Sequence, residues 1–355
     1  MARLCNHGPF RWLLWVIGPG VVASVAYANR GALAMAVRLM REAALWWLVP
    51  AILAIGGVYL CRAAVYSVAL TVLGYSFTRP FLWSTALIAT SLHQLVPAGG
   101  ASGYAFLTFA LHRWGVPGGQ ASLIALIDTL SYAVAVATLL LAGLVYPLTG
   151  GVRGAGDLPL ALAPGILAVT LAAYVYFLQR DPRRFTGLAI ALKNRLAAVV
   201  GRRWADAPIR NFFDEYYAGK AVIQSHPGAF YRMVGFQYLA IGCDAAALYV
   251  AFLALGQSPP VWVVFMGFVV AMATLAIVSV PGGGGSFEAV MSVFFTRYGV
   301  EPATAIAAAI LYRLVAFWIP VVVSLFMLHQ LRRRTRDVRA SERSPQRRAR
   351  AAPDD

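Results

Sequence analysis

The sequence has few charged residues and few cysteines, and both scarcities argue against familiar classes of protein. Asp, Glu, Lys and Arg make up 12% of the 355 residues, against about 25% in an average soluble domain. The three cysteines (Cys5, Cys61 and Cys243) show no CxxC spacing, so neither a disulfide framework nor a cysteine metal site is indicated. HExxH and GxxxxGK[ST] motifs are also missing. We therefore expect no enzyme activity, no bound metal, no cofactor and no nucleotide-driven pump.

Apolar sequence, by contrast, is abundant. Hydrophobic residues account for 60% of the chain, and the mean hydropathy is +0.69. A helix needs about 20 apolar residues to cross about 30 Å of hydrocarbon, and such blocks recur from Trp12 to Leu328. Long apolar blocks favour helices over a β-barrel, whose strands are shorter and alternate in polarity. The sequence predicts an all-α, multi-pass integral protein of the cell membrane.

The formal charge of +16 comes mainly from two basic blocks. One lies at residues 179–230, where amphipathic helices are expected at the membrane surface, and the other is a disordered tail at 331–355. Both blocks are cytosolic by the positive-inside rule, so the C-terminus is expected in the cytosol and nucleic acid is not an expected partner. Residues 1–330 form the predicted transmembrane domain. Cleavage of the first apolar segment, after Ala26-Tyr27-Ala28, is left open.

An internal repeat appears when the chain is shifted by 184 residues. VPAGGASGYAFLTFALHRWGV then aligns with VPGGGGSFEAVMSVFFTRYGV, without a gap. Each Pro-Gly break joins two short apolar segments, at 81–96 and 101–112 and again at 261–280 and 286–296. We predict two re-entrant helix hairpins, with two pairs of short spans as the alternative.

The number of membrane crossings between the two copies predicts their relative orientation. Three full spans separate the copies, and an odd number inverts the second copy relative to the first. The first hairpin should then enter the membrane from the cytosol and the second from outside. Inverted repeats with broken helices are typical of secondary transporters.

The broken helices themselves suggest a binding site. Unpaired backbone groups are tolerated in a membrane only inside protein or beside a polar cavity, and successive glycine N–H groups at a helix start can bind an anion. Alternatively, the glycines only allow a tight turn. Serines at the breaks are expected as N-caps. The candidate substrate-binding residues here are Pro97, Gly99, Gly100, Ser102, Pro281, Gly282, Gly283, Gly284, Gly285 and Ser286.

Isolated charges inside the apolar blocks are further candidates, because charges inside a membrane are costly and often functional. A carboxylate at Glu288 would repel an anion bound at the same helix start, so we expect it to pair with Arg313. Asp128, Asp244 and Arg62 are the other charged candidates, with structural pairing as their alternative role. His93 is the remaining ionisable residue, more typical of a hydrogen-bonded core position.

The segments PGGGGSFEA, RYGV and LYRLVAFWIP resemble the transmembrane domain of the lysylphosphatidylglycerol synthase/flippase family, which includes stand-alone members. The resemblance implies site roles for Glu288, Tyr312 and Arg313. The first copy departs from the pattern, with Tyr104 opposite Glu288 and Thr129 opposite Arg313. The resemblance also implies lipid translocation without synthesis, since the chain leaves no room for the aminoacyl-transferase domain of bifunctional members.

Two functions of different kinds follow from these features. The first is a flippase or transporter of a phospholipid or lipid-linked precursor across the cytoplasmic membrane, with anionic or lipid-linked head groups as partners. The second is a non-catalytic scaffold or accessory protein of lipid or cell-envelope synthesis. An enzyme acting on head groups and a small-solute transporter are weaker alternatives. The lipid, the direction and driving force of transport, and homo-oligomer formation are left open.

The inverted repeat makes a testable prediction about topology. Single cysteines placed near Arg79 and Arg113 should react with a membrane-impermeant reagent only from the cytosol. A cysteine near Arg297 should react only from outside, because the second copy is inverted. Labelling of positions 113 and 297 from the same side would rule out the inverted repeat.

Overall fold

The computed structural model describes residues 35, 38–95, 101–146, 205–277 and 286–329, with short stretches between 186 and 195. Every regular element in these residues is helical, and four helices are long and apolar enough to cross a membrane. The prediction of an all-α polytopic membrane protein is therefore confirmed. The predicted apolar blocks at 11–28 and 160–178, and the basic tail, lie outside the described residues.

We number the helices of the described residues in chain order. They are α1 (Leu48–Val72, after the 3-10 turn Leu45–Trp47), α2 (Arg79–Leu95), α3 (Ala101–Arg113), α4 (Gly118–Tyr146), α5 (Ala207–Gln224), α6 (Pro227–Ala254), α7 (Val261–Ile277), α8 (Ser286–Arg297) and α9 (Pro302–Arg313). Helix α9 continues through a π-helical segment, Leu314–Trp318, so that the whole span is Pro302–His329.

Helices α3 and α8 end in the same way, 184 residues apart. Gly115 and Gly299 follow them with φ of 92° and 82°, in the left-handed region that favours glycine. The next residue donates its N–H to a carbonyl of the last turn, from Val116 to Leu111 and from Val300 to Phe295, each at 3.1 Å. This bond belongs to the Schellman helix stop. The repeated RWGV and RYGV sequences thus form the same local structure.

The repeat extends over four helices in each copy, α1 to α4 and α6 to α9. Helices α4 and α9 begin 184 residues apart, at Gly118 and Pro302. The ends of α1 and α6 match at an offset of 182, where Gly74 and Gly256 both have positive φ. The helix bounds thus support a repeat of structure as well as of sequence, whereas the inversion of the second copy remains a prediction.

The two copies meet at α1 and α6, which pack more extensively than any other pair of described helices. A methyl group on Gly57 would lie 3.2 Å from the Cys243 sulfur, so the two backbones approach closely there. Each Pro-Gly break lies between two helices that pack together, α2 with α3 and α7 with α8. The breaks themselves lie outside the described residues, so re-entrant hairpins also remain a prediction.

The cytosolic amphipathic segment predicted from the sequence includes α5, which packs against the start of α4. A methyl group on Gly119 would lie 2.2 Å from the carbonyl oxygen of Phe212, so only glycine fits at this crossing. The Gly119 N–H donates to Glu215 Oε2 at 2.9 Å. Because a carboxylate is favourable at a helix N-terminus, Glu215 fixes α5 to the first turn of α4.

The close contact between α2 and α3 predicts that Gly103→Ala is destabilising. The added methyl group would lie 2.6 Å from the Ala89 carbonyl oxygen and 2.8 Å from the His93 Cβ. Overpacking of this kind costs about 1 to 3 kcal/mol, measurable as a lower melting temperature of the purified protein. Gly242→Ala in α6 is the control, because no atom lies within 4 Å of the added group. Equal melting temperatures for the two variants would contradict the tight α2–α3 crossing.

Candidate functional site

The predicted pair of Glu288 and Arg313 forms in the structure. Arg313 Nη1 donates to both carboxylate oxygens of Glu288, at 2.9 and 3.2 Å. The guanidinium also lies over the rings of Phe287 and Phe317, 5.7 and 5.4 Å from their centroids, within cation–π range. The ion pair therefore joins the first turn of α8 to α9, beside two aromatic rings.

The position of the pair within the helices is unusual. The Arg313 and Glu288 side chains are only 17% and 21% exposed, and the π-helical segment of α9 begins at the next residue, Leu314. Single π-turns within α-helices occur frequently at functional sites. A partly buried ion pair next to such a segment can stabilise the packing of α8 and α9 or take part in a conformational change.

A second polar cluster occupies four positions of the described helices that lie at the same depth. Arg62 lies ten residues before Val72 and Asp244 ten before Ala254. Asp128 lies ten residues after Gly118 and Tyr312 ten after Pro302. Ten residues of α-helix span about 15 Å, half of a hydrocarbon layer about 30 Å thick. We refer to Arg62, Asp128, Asp244 and Tyr312 as the central cluster.

Asp128 is held by hydrogen bonds from two other helices. Tyr66 Oη of α1 donates to Asp128 Oδ2 at 3.4 Å, and Gln237 Nε2 of α6 donates to Asp128 Oδ1 at 2.9 Å. The same Gln237 nitrogen reaches Ser131 Oγ at 3.2 Å. Because Asp128 and Gln237 are both buried, this network joins α1, α4 and α6 in the interior.

Asp244 accepts a hydrogen bond of 3.0 Å from Tyr312 Oη. Arg62 interacts electrostatically with both Asp128 and Asp244, and its guanidinium lies 5.7 Å from the ring centroid of Tyr132. The Arg62 Nε is buried and has no hydrogen-bond partner among the described residues. The Arg62 cation thus interacts with two carboxylates, and its Nε donor has no partner among the described residues.

The central cluster follows the internal repeat. Arg62 and Asp244 are equivalent at the 182-residue offset, next to the equivalent cysteines at positions 61 and 243. Asp128 and Tyr312 are equivalent at the 184-residue offset. The first copy therefore places a cation beside a carboxylate, whereas the second places a carboxylate beside a neutral phenol.

A cavity of about 600 Å³ lies between α3 and α4. Its polar side chains follow helical spacing, at positions 104, 108 and 112 of α3 and at 122 and 129 of α4. The remaining wall is mostly apolar. The full lining consists of Tyr104, Ala105, Thr108, Phe109, His112, Gly118, Ser122, Ala125, Leu126 and Thr129.

The cavity leads from the start of α4 toward the central cluster. Gly118 and Thr129, both in its wall, are eleven residues apart, which corresponds to about 16 Å along the helix. At the inner end, Tyr104 interacts with Thr129 and is within electrostatic range of Asp128. A molecule in the cavity would therefore approach the cluster halfway along the span.

The two copies differ at the positions that line this cavity. Tyr104 and Thr129 are equivalent to Glu288 and Arg313 at the 184-residue offset. In the first copy the pair is neutral and borders a cavity between α3 and α4. In the second copy the pair is ionic and bridges α8 and α9.

The remaining predicted site residues have different outcomes. Pro97, Gly99, Gly100, Pro281 and Gly282–Gly285 lie outside the described residues, so an anion site at the breaks remains a prediction. The expected N-cap role of Ser102 is wrong, because Ser102 lies inside α3 and its hydroxyl donates to the Leu92 carbonyl at 2.8 Å. That carbonyl belongs to the last turn of α2, whose acceptors lack helical partners. Ser286 is the first residue of α8.

Sequence reasoning missed the polar residues that surround the charges, although helical spacing could have found them. Tyr66 lies four residues after Arg62, and Ser131 three residues after Asp128. Gln237 lies seven residues before Asp244. Each of these spacings places a polar side chain on the same helix face as a predicted charge.

Comparison with known proteins identifies the family. The sequence profile described as "Lysylphosphatidylglycerol synthase TM region" matches residues 13–324, most of the chain. The chain belongs to this family. The family resemblance found in the second-copy motifs is thereby confirmed, and the match extends over both copies of the repeat.

Two members of the UPF0104 membrane proteins are similar to this chain. One, from Pyrococcus horikoshii, is 34% identical over 88 residues, which cover 25% of this chain and 26% of the relative. Another, from Methanothermobacter thermautotrophicus, is 24% identical over 153 residues, which cover 43% of this chain and 45% of the relative. The matched stretches thus span less than half the length of either relative.

The ion pair predicts a non-additive response to mutation. Glu288→Gln and Arg313→Gln should each destabilise the protein by about 3 to 5 kcal/mol, because each leaves a partly buried charge without its partner. The double variant should be more stable than either single variant. Unfolding of the three purified proteins by denaturant measures these differences. Purely additive losses would show that the two charges do not interact.

Proposed function

We propose that this protein translocates a phospholipid or lipid-linked precursor across the cytoplasmic membrane, with its C-terminus in the cytosol. The observation that carries the proposal is the cavity between α3 and α4, which ends beside the central cluster. A flippase needs a polar path for the head group while the acyl chains stay in lipid. A cavity reaching half the depth of a span, with hydroxyls and an imidazole in a mostly apolar wall, would form the first part of such a path.

The chemistry of the cavity suits an amphipathic molecule. Its volume of about 600 Å³ lies within the usual range for small-molecule sites, about 300 to 1,000 Å³. Hydroxyl groups and the His112 imidazole can hydrogen-bond a head group, while the apolar wall accommodates hydrocarbon. Deeper in, the buried Arg62 Nε has no hydrogen-bond partner among the described residues, and it is a donor that a head-group oxygen could use.

Family membership supports a lipid substrate, since the family takes its name from the membrane region of a phospholipid synthase. The proposal for this chain contains no synthetic reaction. The polar groups described above would bind and guide a head group, and no bond in the lipid would form or break. An anionic head group is favoured by the glycine N–H groups predicted at the two breaks.

The difference between the copies suggests how the path is gated. The Glu288–Arg313 pair ties α8 to α9 where the equivalent helices of the first copy border the open cavity. If the second copy is inverted, its groove would open toward the other side of the membrane. Transport would then alternate between the cavity of the first copy and an opened groove in the second, as in other inverted-repeat transporters.

A leaflet-exchange assay tests the proposed function. Purified protein is reconstituted into vesicles containing fluorescent phosphatidylglycerol, and the fraction accessible to an impermeant quencher is followed with time. The wild-type protein should speed the exchange well above that of empty vesicles. Ser122→Trp should slow it at least tenfold by filling the cavity. The control Leu141→Trp, on the same helix but 52% exposed and outside the cavity, should keep the wild-type rate.

Two results would contradict the proposal. Exchange no faster than in empty vesicles, for anionic, zwitterionic and lipid-linked probes alike, would favour the scaffold or accessory role. Equal rates for Ser122→Trp and the wild-type protein would show that lipid moves without using this cavity.

A further inference from the structure

We infer that the central cluster binds one proton, and that Asp244 is the residue that carries it. The inference rests on the charge balance of the cluster, on the contacts of Asp244 and on the two copies of the repeat. It assigns a cation site that neither the family match nor the lipid cavity implies. The proton adds to the Asp244 carboxylate, so the charge of the cluster changes from −1 to zero.

With both acids ionised, the cluster holds one cation, Arg62, and two anions, Asp128 and Asp244. The Glu288–Arg313 pair is neutral by itself, and the Pro-Gly breaks contain no ionisable residue. Among the described residues of the spans, and with His93 neutral, one negative charge thus remains near the middle of the membrane. An uncompensated charge there costs about 2.5 to 3.5 kcal/mol even on mild scales.

The repeat shows which carboxylate lacks a cation. Arg62 and Asp128 both belong to the first copy, and the electrostatic interaction of Arg62 is stronger with Asp128 than with Asp244. The equivalent pair of the second copy is Asp244 and Tyr312, joined by a hydrogen bond of 3.0 Å. Since a phenol carries no positive charge, Asp244 has a hydrogen-bond donor but no dedicated counter-ion.

Among the described residues, the groups that face Asp244 from the packed helices do not supply a second cation. Helix α1 contributes Tyr59 and the shared Arg62, α4 contributes Tyr132, and α9 contributes Tyr312. On α6 itself the neighbour is the Cys243 thiol. Helix α7 has no ionisable residue in its sequence, and α5 adds no charge at this position. Three phenols and a thiol surround the carboxylate, all neutral at physiological pH.

A proton fits this site better than a metal ion. The described residues contain no group of three His, Cys, Asp or Glu side chains that could hold a metal, whereas a protonated carboxyl needs no further ligand. The Asp244 side chain is partly buried and already accepts the Tyr312 hydrogen bond, so a proton on its other oxygen completes the site without a further ligand. The protonated acid still accepts the hydrogen bond from Tyr312.

Proton binding would also supply a driving force. If the protein translocates lipid, a proton taken up on one side and released on the other would couple the lipid to the proton gradient. This extension rests on the proposed function. The proton site itself does not, so it is tested by a measurement that requires no transport.

Infrared spectroscopy of the purified protein in lipid nanodiscs tests the site directly. A protonated carboxyl has a C=O stretching band that carboxylates lack, and we expect the wild-type protein to show it at mildly acidic pH and to lose it as the pH rises. Asp244→Asn should abolish the band. Two control variants should keep it, namely Asp206→Asn, which removes an acid outside the spans, and His93→Gln, which removes a histidine of the apolar blocks.

Stability against pH gives an independent readout. The wild-type melting temperature should fall with rising pH over the range in which folded Asp244 is protonated and unfolded Asp244 is ionised, because folding then binds a proton. Asp244→Asn is neutral at every pH and should remove this part of the dependence. A band unchanged in Asp244→Asn would overturn the assignment to this residue. No band, together with a sodium-dependent rise in melting temperature that Asp244→Asn removes, would show a metal cation instead of a proton.

Discussion

The cost of placing charge inside a membrane governs how this protein is built. Each described charge at membrane depth lies beside an opposite charge or a hydrogen-bond donor: Arg313 binds Glu288, and Asp128 is held by Tyr66 and Gln237. Such contacts are required because unpaired polar groups are costly in hydrocarbon. They also determine which helices must pack together, since Asp128 alone joins α1, α4 and α6.

The two copies of the repeat share a frame and differ in their chemistry. The RWGV and RYGV stops, the starts of α4 and α9 and the glycines after α1 and α6 coincide. Within that frame a neutral pair, Tyr104 and Thr129, borders a cavity, while an ion pair bridges the equivalent helices. The central cluster shows a similar difference, since Arg62 is equivalent to Asp244. Matching helix bounds with different charges would allow the two copies to play different parts in the proposed transport.

Much of this arrangement could be predicted from the sequence, because periodicity and spacing are local properties. The short apolar segments predicted at 81–96, 101–112, 261–280 and 286–296 match helices α2, α3, α7 and α8 to within a few residues. The isolated charges Glu288 and Arg313 were predicted to pair, and they do. Contacts between distant helices were not predictable in this way. Gln237 reaches Asp128 across 109 residues of chain, and Ser102 bonds to Leu92 because α2 and α3 pack closely. The cavity depends on the same packing, so no single motif encodes it.

The central claim is that the interior of this protein holds a lipid. Native mass spectrometry of the protein released from its own membrane, without added lipid, tests the claim most directly. The account predicts one lipid class retained well above its share of the membrane, and lost when Ser122→Trp fills the cavity. Retained lipid that matches the bulk composition, and that is the same in wild-type and Ser122→Trp protein, would contradict the account.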